Sequence, residues 1–305
     1  MAWSEESLLA WLAARATPRV LAGSRGHDAA VLRSGRGRDV LCCDQVLEGV
    51  HAEPGAPARA LGRKAAGRAL SDLAATAAEP VGLLLSIAAP RHERESRLRA
   101  LIEAVDEKAR EHGAALVGGD LACGPGPLAL SVAALGRLSG RRRPPCRDRA
   151  RPGQLVLLSG PVGGSRAGRH LEPEPRLELG RFLYEHGATA LMDVSDGLAL
   201  DLARLARASR VRVDLERVPL HADALAAARR SRRSALAHAL ADGEDHELLA
   251  TIAPARWMRI AARAARRFPE LSVVGRVRRG SGLRVPDEAG ALAPWDGRGG
   301  WRHGS

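Results

Sequence analysis

Lysine, asparagine and aromatic side chains are scarce in this 305-residue sequence, and its basic charge is carried almost entirely by arginine. Only Lys64 and Lys108 are lysines among 47 basic residues, asparagine is absent, and aromatic residues make up 3% of the chain. The formal net charge of +12 therefore reflects a composition bias spread over the whole chain. Nucleic-acid-binding proteins more often alternate a basic stripe with stacking aromatics. The composition thus argues against nucleic acid as a partner.

Long apolar runs and a secretory signal are also missing. No run approaches the length that a helix needs to cross a bilayer. The N-terminal stretch MAWSEESLLAWLAAR carries acidic residues where a signal peptide requires basic ones, and its apolar positions are spaced as in a helix. We therefore expect no membrane partner and a cytoplasmic location.

Cysteine is sparse, and its spacing excludes the common cysteine-based sites. Cys42, Cys43, Cys123 and Cys146 contain no C-x-x-C pair of the kind found in zinc or redox sites. A disulfide between the adjacent Cys42 and Cys43 would be strained. We expect four reduced thiols.

Strand-like and helix-like segments alternate along both halves of the chain. DVLCCDQV, from Asp39, is typical of a strand, whereas the alanine-rich stretch over 58–78 and the periodic stretch over 96–113 predict helices. Further strands are predicted over 114–120, 126–138, 154–160, 191–194 and 246–254.

The length of the chain allows two domains, each with its own core. An Arg/Pro/Gly-rich stretch at 140–153 is typical of a linker. We predict an α+β fold with an N-terminal sheet domain over 1–139 and a C-terminal α/β domain over 140–305.

Acidic side chains recur where predicted strands end and on one predicted helix. Several lie beside glycine or other small residues, which let a ligand approach the backbone. A strand end is also where a rigid scaffold presents side chains to a cleft. The acidic residues in these positions are Asp28, Asp44, Asp72, Asp120, Asp193, Asp196, Glu244 and Asp245.

Helix capping is the alternative explanation for some of these residues. In LMDVSDGLALDLARLA, from Leu191, a buried strand passes into an amphipathic helix, and Ser195 or Asp196 could simply cap that helix. Asp72, in contrast, lies inside a predicted helix, where aspartate has no capping role and poor propensity. Each residue alone leaves both interpretations open, but so many carboxylates are difficult to explain as caps.

A group of carboxylates matches the chemistry of Mg²⁺, which takes oxygen ligands and binds through a few carboxylates plus substrate phosphates. Several ions are useful where two polyanions meet, because their repulsion must be neutralised before transfer. Glycine-rich backbone and arginines supply further donors. The sequence lacks the Walker motif G-x-x-x-x-G-K-[ST] and the kinase H-R-D set. We therefore predict phosphoryl transfer from ATP, with more than one Mg²⁺ ion, on a different fold.

The order of the motifs resembles that of thiamine-monophosphate kinase, a family of the aminoimidazole-ribotide synthetase-like superfamily. From about residue 20 to 303 the matching motifs are GHDAAVL, DQVLEGVH, RKAAGRALSDLAA followed by EP, VGGD, GPVGGSRAG, MDVSDGLALDL and GEDHELL. The resemblance implies the two-domain fold of that superfamily and a homodimer that pairs through its N-terminal sheets. It also implies direct transfer of the γ-phosphate of ATP to thiamine monophosphate, which yields thiamine diphosphate without a covalent enzyme intermediate.

The resemblance further implies roles for individual residues. The implied Mg²⁺ ligands are Asp28, Asp44, Asp72, Asp120, Asp193 and Asp196. The implied nucleotide contacts are Gly119, Asp120, Arg147 and Ser195. The implied substrate contacts are His51, Glu244 and Trp301, with the indole stacking on the substrate. His51 as an ordinary loop histidine and Trp301 as a packing residue are the alternatives.

Several positions depart from the family pattern. That pattern usually has two aspartates at positions 27–28, Thr-Ser-Asp-Thr at 42–45, GGDTTRG at 118–124 and GEDY at 243–246 of this sequence. The differing residues here are His27, Cys42, Cys43, Gln45, Leu121, Ala122, Cys123 and His246. None of them removes an implied metal ligand. The second hypothesis is therefore a catalytically weakened relative that binds nucleotide or thiamine phosphates as a sensor.

Other members of the superfamily fit the sequence less well. A selenophosphate synthetase needs a reactive Cys or selenocysteine near the N-terminus, whereas the first cysteine here is Cys42. A hydrogenase-maturation carbamoyl dehydratase ends in a reactive cysteine, whereas this sequence ends in RHGS. Aminoimidazole-ribotide synthetase lacks the DVSDGL motif. The basic stretch GRRRPPCRDRARPG leaves RNA docking as a further alternative, which predicts an affinity that falls steeply with salt.

Overall fold

The computed structural model describes residues 20–22, 29–34 and 37–302. The described chain contains two sheets, one of six strands and one of seven. Helices pack against both sheets, and all but two of the strand pairs within the sheets are antiparallel. The α+β prediction is confirmed.

The first sheet has the strand order β1-β2-β3-β6-β4-β5. Its β4–β5 pair is parallel, and the other pairs are antiparallel. The strands are β1 (Val20–Ala22), β2 (Ala30–Ser34), β3 (Gly37–Leu47), β4 (Glu79–Pro90), β5 (Leu116–Gly124) and β6 (Ala129–Arg137).

Two helices cover one face of the first sheet: α1 (Ala58–Ala75) and α2 (Glu95–Glu111). Side chains alternate along β6, so that Leu130 and Val132 are buried beneath the helices while Ser131 lies on the opposite face. That opposite face is exposed, and it includes Leu41 and Leu84, which retain 43% and 50% of their accessible surface.

The second sheet has the strand order β13-β12-β9-β11-β7-β10-β8. Its β12–β9 pair is parallel. The strands are β7 (Leu155–Leu158), β8 (Ala190–Asp193), β9 (Arg212–Leu215), β10 (Leu248–Ile252), β11 (Ser272–Arg278), β12 (Gly282–Pro286) and β13 (Leu292–Pro294).

Strands β7, β10 and β8, at one end of the second sheet, are buried on both faces, which explains their continuous apolar runs. Leu157 and Leu191 face one core, and Leu158 and Met192 face the other. The accompanying helices are α3 (Leu177–Glu185), α4 (Leu198–Ser209), α5 (Ala222–Arg230), α6 (Ala235–Ala241) and α7 (Pro254–Arg267).

One of the two cores runs across the predicted boundary between residues 139 and 140. It joins the helix-covered face of the first sheet to α3, α7 and one face of the second sheet. The second core lies between the other face of the second sheet and α4. The division into domains at this position stays a prediction.

The predicted elements correspond to observed helices and strands, but the sequence analysis did not predict β1, β2, β4, β9, β11 to β13, α3 or α5 to α7. The helix predicted over 58–78 ends at Ala75, and the strand predicted from Asp39 is β3. The sequence analysis missed β4, a central strand of the first sheet. No described helix is long and apolar enough to cross a membrane. All four cysteines are free, as predicted.

Candidate active site

A cavity of about 300 Å³ lies where α1 and β3 meet the loops that follow β8 and precede β10. Most of the predicted site residues line it, although they come from distant parts of the chain. These residues are Asp44, His51, Asp72, Arg147, Asp193, Ser195, Asp196, Glu244 and Trp301.

A larger cleft of about 940 Å³ elsewhere on the molecule contains none of the predicted residues. Its charged side chains are paired with one another, as in Arg181 with Glu79, or with the buried Glu247, which accepts from Arg176. The smaller cavity is therefore the candidate site, because its chemistry rather than its volume matches the prediction.

The loop after β8 is held by a buried carboxylate that the sequence analysis missed. Neither Ser195 nor Asp196 caps α4, since the residue before that helix is Gly197 and no side chain makes a capping hydrogen bond. Instead, Oδ2 of Asp201 accepts the backbone N–H groups of Ser195 and Asp196, at 3.0 and 2.9 Å. Burial, followed by the nearby charge of Asp196, raises the pKa of Asp201 to about 7.

The loop before β10 pairs with the loop after β8 through the backbone. The N–H of Glu244 donates to the carbonyl of Ser195 at 2.7 Å, and the N–H of His246 donates to the carbonyl of Val194 at 2.8 Å. Glu244 and His246 both have φ of +53°, a left-handed conformation that is uncommon outside glycine. Such strain is typical of functional sites, and here it directs the Glu244 carboxylate into the cavity.

Helix α1 supplies a charged face to the same cavity. Lys64, Arg68 and Asp72 follow one another at intervals of four residues and therefore share one side of the helix. The ammonium of Lys64 is fully buried and lies 2.6 Å from Oε1 of Glu244, and it also donates to the carbonyl of His51. The sequence analysis identified Asp72 alone, although the helical spacing could have revealed all three.

The buried charges of the cavity perturb one another. Burial alone would raise the pKa of Asp44, but the charge and hydrogen bonds of Arg68 together outweigh burial and hold that pKa below its usual range. Burial would likewise raise the pKa of Glu244, but the charge and hydrogen bond of Lys64, with the charge of Arg68, outweigh burial and hold that pKa below its usual range. Both carboxylates are therefore ionised at neutral pH.

The imidazole of His51 is neutral at the edge of the cavity. Burial, followed by the charge of Arg68, lowers the pKa of His51 to about 4. The backbone N–H of Leu47 donates to Nδ1 of His51 at 3.0 Å. The ring proton is therefore on Nε2.

Asp193 is the most enclosed of the cavity carboxylates. It is 3% exposed, and its Oδ2 accepts from the hydroxyl of Ser71 at 2.7 Å. Nδ1 of His246 lies 3.2 Å from the same oxygen. Ser71 lies on α1, so this contact joins the first sheet's helix to the second sheet.

An aromatic ring and two arginines form another wall of the cavity. Trp301 is 40% exposed, and its backbone N–H donates to the carbonyl of Asp196 at 2.9 Å. The guanidinium carbon of Arg166 lies 5.9 Å from the Trp301 ring centroid. Arg166, from the glycine-rich GPVGGSRAG segment, joins the predicted Arg147 in the lining.

Gly119 and Asp120 lie on β5, outside this cavity. Any side chain at Gly119 would overlap the carbonyl oxygen of Leu85, which explains the glycine structurally. Through the sheet register, Asp120 aligns with Ser86, Ser131 and Gln45, on the face opposite to that of Asp44. A single chain therefore does not bring Asp120 to the other predicted ligands.

The donor set of the cavity fits Mg²⁺ chemically. Asp44, Asp72, Asp193 and Asp196 all supply carboxylate oxygens, the donors that this ion prefers. Over residues 20–22, 29–34 and 37–302, no group of three or more His, Cys, Asp or Glu side chains is already arranged to hold a metal. The predicted ligand Asp28 lies outside the described residues.

Comparison with known proteins agrees with the motif pattern. Residues 26–138 match the family model described as AIR synthase related protein, N-terminal domain. The chain is 38% identical over 264 residues to the thiamine-monophosphate kinase of Rhodopirellula baltica, covering 82% of each protein. It is 35% identical over 252 residues to that of Corynebacterium glutamicum, covering 74% of this chain and 76% of the relative.

Solved structures give the same result over the whole chain. The structure of AaThiL complexed with AMPPCP and TMP matches with a TM-score of 0.84 and 26% identity, covering 98% of this chain and 97% of that one. Thiamine-monophosphate kinase from Stenotrophomonas maltophilia K279a matches with a TM-score of 0.73 and 30% identity, covering 95% and 98%. The predicted fold is confirmed. The chain belongs to the thiamine-monophosphate kinase family.

Proposed function

We propose that this protein transfers the γ-phosphate of ATP to the phosphate of thiamine monophosphate. An oxygen of the acceptor phosphate attacks the γ-phosphorus, the bond to the β,γ-bridging oxygen breaks, and ADP leaves as thiamine diphosphate forms. The observation that carries the proposal is the single cavity that gathers carboxylates, arginines and an indole from the family's motifs. Such a reaction depends mainly on positioning and charge stabilisation, so these residue types suit it.

Each wall of the cavity has a proposed role. Ser195 and Arg147 contact the nucleotide, and the guanidinium offers paired donors to phosphate oxygens. His51, Glu244 and Trp301 contact thiamine monophosphate: neutral His51 donates through Nε2, and the half-exposed indole stacks on a ring of the substrate. Mg²⁺ held by the carboxylates would neutralise the facing phosphates.

We further propose that two copies pair through the first sheet. The face of that sheet opposite α1 and α2 exposes Leu41 and Leu84, and the edge strand β5 exposes Val117 and Leu121 at 68% and 59%. A second copy would cover this apolar surface and cap the unpaired edge. Asp120 aligns with Ser86 on the same face as Leu84, so pairing would bring it to the partner rather than to the cavity of its own chain.

The cytoplasm is the proposed location, because the chain carries free thiols and is expected to use ATP. No nucleic acid or membrane is proposed as a partner.

The proposed activity is tested with purified protein, ATP, Mg²⁺ and thiamine monophosphate. Thiamine diphosphate is separated and measured by thiochrome fluorescence. We expect product that depends on Mg²⁺ and is lost in Asp193→Ala, because that buried carboxylate faces the cavity. Glu103→Ala, which removes an exposed carboxylate from α2, serves as the matched control and should retain activity.

Two results would contradict this proposal. Near-normal turnover by Asp193→Ala would remove that residue from the site. Measurable ATP binding by the parent protein without any thiamine diphosphate would remove the kinase activity, and it would favour a sensor that binds nucleotide or thiamine phosphates.

A further inference from the structure

Arg68 holds the carboxylate of Asp44 at both of its oxygens. Nη2 of Arg68 donates to Oδ1 and Nε donates to Oδ2, each at 2.9 Å. The backbone N–H of Gln45 also donates to Oδ1, at 2.7 Å. This is the two-pronged geometry of a strong arginine–carboxylate pair, and it uses the oxygens that a metal ion would need.

The pair belongs to a cluster of four ion-paired side chains. Nη1 of Arg68 lies 3.1 Å from Oε1 of Glu244, and the same oxygen lies 2.6 Å from Nζ of Lys64. Two carboxylates thus contact two cations in largely buried surroundings, and the charge of Asp72 also acts on Arg68. A divalent ion at Asp44 would have to displace the guanidinium or lie beside two positive charges, and either is costly at low dielectric.

Two other cavity carboxylates, Asp193 and Asp196, have different partners. Oδ2 of Asp193 accepts from the neutral hydroxyl of Ser71 and contacts His246. Asp196 is paired with Arg204 through Oδ2, and that arginine also contacts Asp201, so the guanidinium is shared. Neither carboxylate is held at both oxygens by one arginine, as Asp44 is.

We propose that Arg68 takes the place of a divalent cation at Asp44, so that this chain's metal ions bind at the other cavity carboxylates. This inference rests on the proposed function and deepens it. Arg68 supplies a fixed positive charge at the wall made by α1, in the place that a bound ion would otherwise take at Asp44. Asp44 then serves to position Arg68 rather than to bind metal.

The first test counts Mn²⁺, a paramagnetic substitute for Mg²⁺, by equilibrium dialysis at saturating Mn²⁺ and AMPPCP. We expect Asp44→Asn to bind the same number of Mn²⁺ ions per chain as the parent protein, and Asp193→Asn to bind fewer. Loss of an ion in Asp44→Asn would overturn the proposal. A parent protein that binds no Mn²⁺ would overturn it as well, because the other carboxylates would then hold no ion.

The second test opens the site that Arg68 occupies. We expect Arg68→Met to bind one additional Mn²⁺ per chain, and this gain should disappear in the Arg68→Met/Asp44→Asn double variant. Arg68→Lys, which keeps a cation, is the matched control and should show the parent stoichiometry. An unchanged count in a folded Arg68→Met protein would refute the proposal, and circular dichroism reports whether each variant is folded.

These counts are independent of turnover. If thiamine diphosphate is not formed but the counts change as expected, the proposed function fails and the role of Arg68 stands. If product forms and the counts do not change, the function stands and the role of Arg68 fails.

Discussion

At the scale of single residues, His51 shows how burial and a neighbouring charge set the protonation of a cavity group. Its ring accepts the N–H of Leu47 at Nδ1, and burial with the charge of Arg68 lowers its pKa to about 4. A neutral ring with its proton on Nε2 can donate one hydrogen bond to a ligand without adding charge to a site that already holds arginines.

We predict that His51 titrates near pH 4 in the folded protein and keeps the Nε2–H tautomer at pH 7. Long-range ¹H–¹⁵N spectra of the histidine rings, assigned with His51→Gln, measure both quantities. Arg68→Met should raise the pKa of His51, because the charge of Arg68 is one of the causes that lower it. Titration near 6.5 in the parent protein would contradict the prediction.

The same shift has a defined effect on stability. The unfolded chain has a His pKa of about 6.5, so between that pH and about 4 the unfolded state binds a proton that the folded state does not. This group therefore lowers the free energy of unfolding as pH falls through that window. The slope of the free energy of unfolding against pH, measured by urea denaturation between pH 4 and 6.5, should be smaller in His51→Gln than in the parent protein.

At the scale of elements, α1 is held by unusually close contacts with its neighbours. A Cβ atom at Gly62 would lie 2.5 Å from the carbonyl oxygen of Leu101 on α2, and one at Gly180 on α3 would overlap the carbonyl oxygen of Ala74. The same helix carries Ser71, whose hydroxyl donates to Asp193 of β8 at 2.7 Å. Helix spacing and site geometry are therefore linked.

We predict that Gly180→Ala lowers the free energy of unfolding by about 1–3 kcal/mol, because overpacking forces the helices apart. Urea denaturation at constant m-value measures the change. Helix propensity alone predicts the opposite, a gain of about 1 kcal/mol for alanine. A measured increase in the free energy of unfolding would contradict the prediction, because it would show that α3 can move to admit the added Cβ atom without losing stability. Gly124→Ala, where an added Cβ meets no atom within 4 Å, is the control.

For the molecule as a whole, one face of the first sheet exposes apolar side chains that no helix of the described chain covers. One face of the sheet is covered by α1 and α2, whereas Leu41 and Leu84 on the other face remain about half exposed. Sheets with one bare apolar face are stabilised when a second layer covers them. This is the physical basis for the proposed dimer.

We predict that the parent protein is a dimer and that Leu84→Glu is a monomer, because pairing would bury two like charges on an apolar surface. Light scattering coupled to gel filtration measures the mass of each. Met258→Glu, at a position on α7 that is 74% exposed, adds the same charge elsewhere and should remain dimeric. A parent monomer, or a Leu84→Glu dimer, would refute the proposed pairing.

Local sequence patterns accounted for α1, β3, β8 and β10, the elements around the site, and for most of the residue types of the site. Strand-like apolar runs predicted β3 and β8, alanine content predicted α1, and helical periodicity predicted α2, because these are short-range features of the sequence. Strand β4 was missed, since Pro80 and the end of the preceding helix obscured a twelve-residue strand whose position is set by β5 and β6. Helical spacing places Lys64 and Arg68 on the side of α1 that carries Asp72, but it does not reveal their contacts with Glu244, which is distant in the chain.

The sequence by itself determined the family, the α+β class and the set of chemical groups, because these are written in collinear motifs and local periodicity. The tertiary structure decided which groups meet. It put Asp120 on the face opposite to Asp44, enclosed Asp193 beside Ser71, and paired Asp44 with Arg68. Sheet register and helix packing depend on contacts between residues far apart in the chain, and no local pattern specifies them.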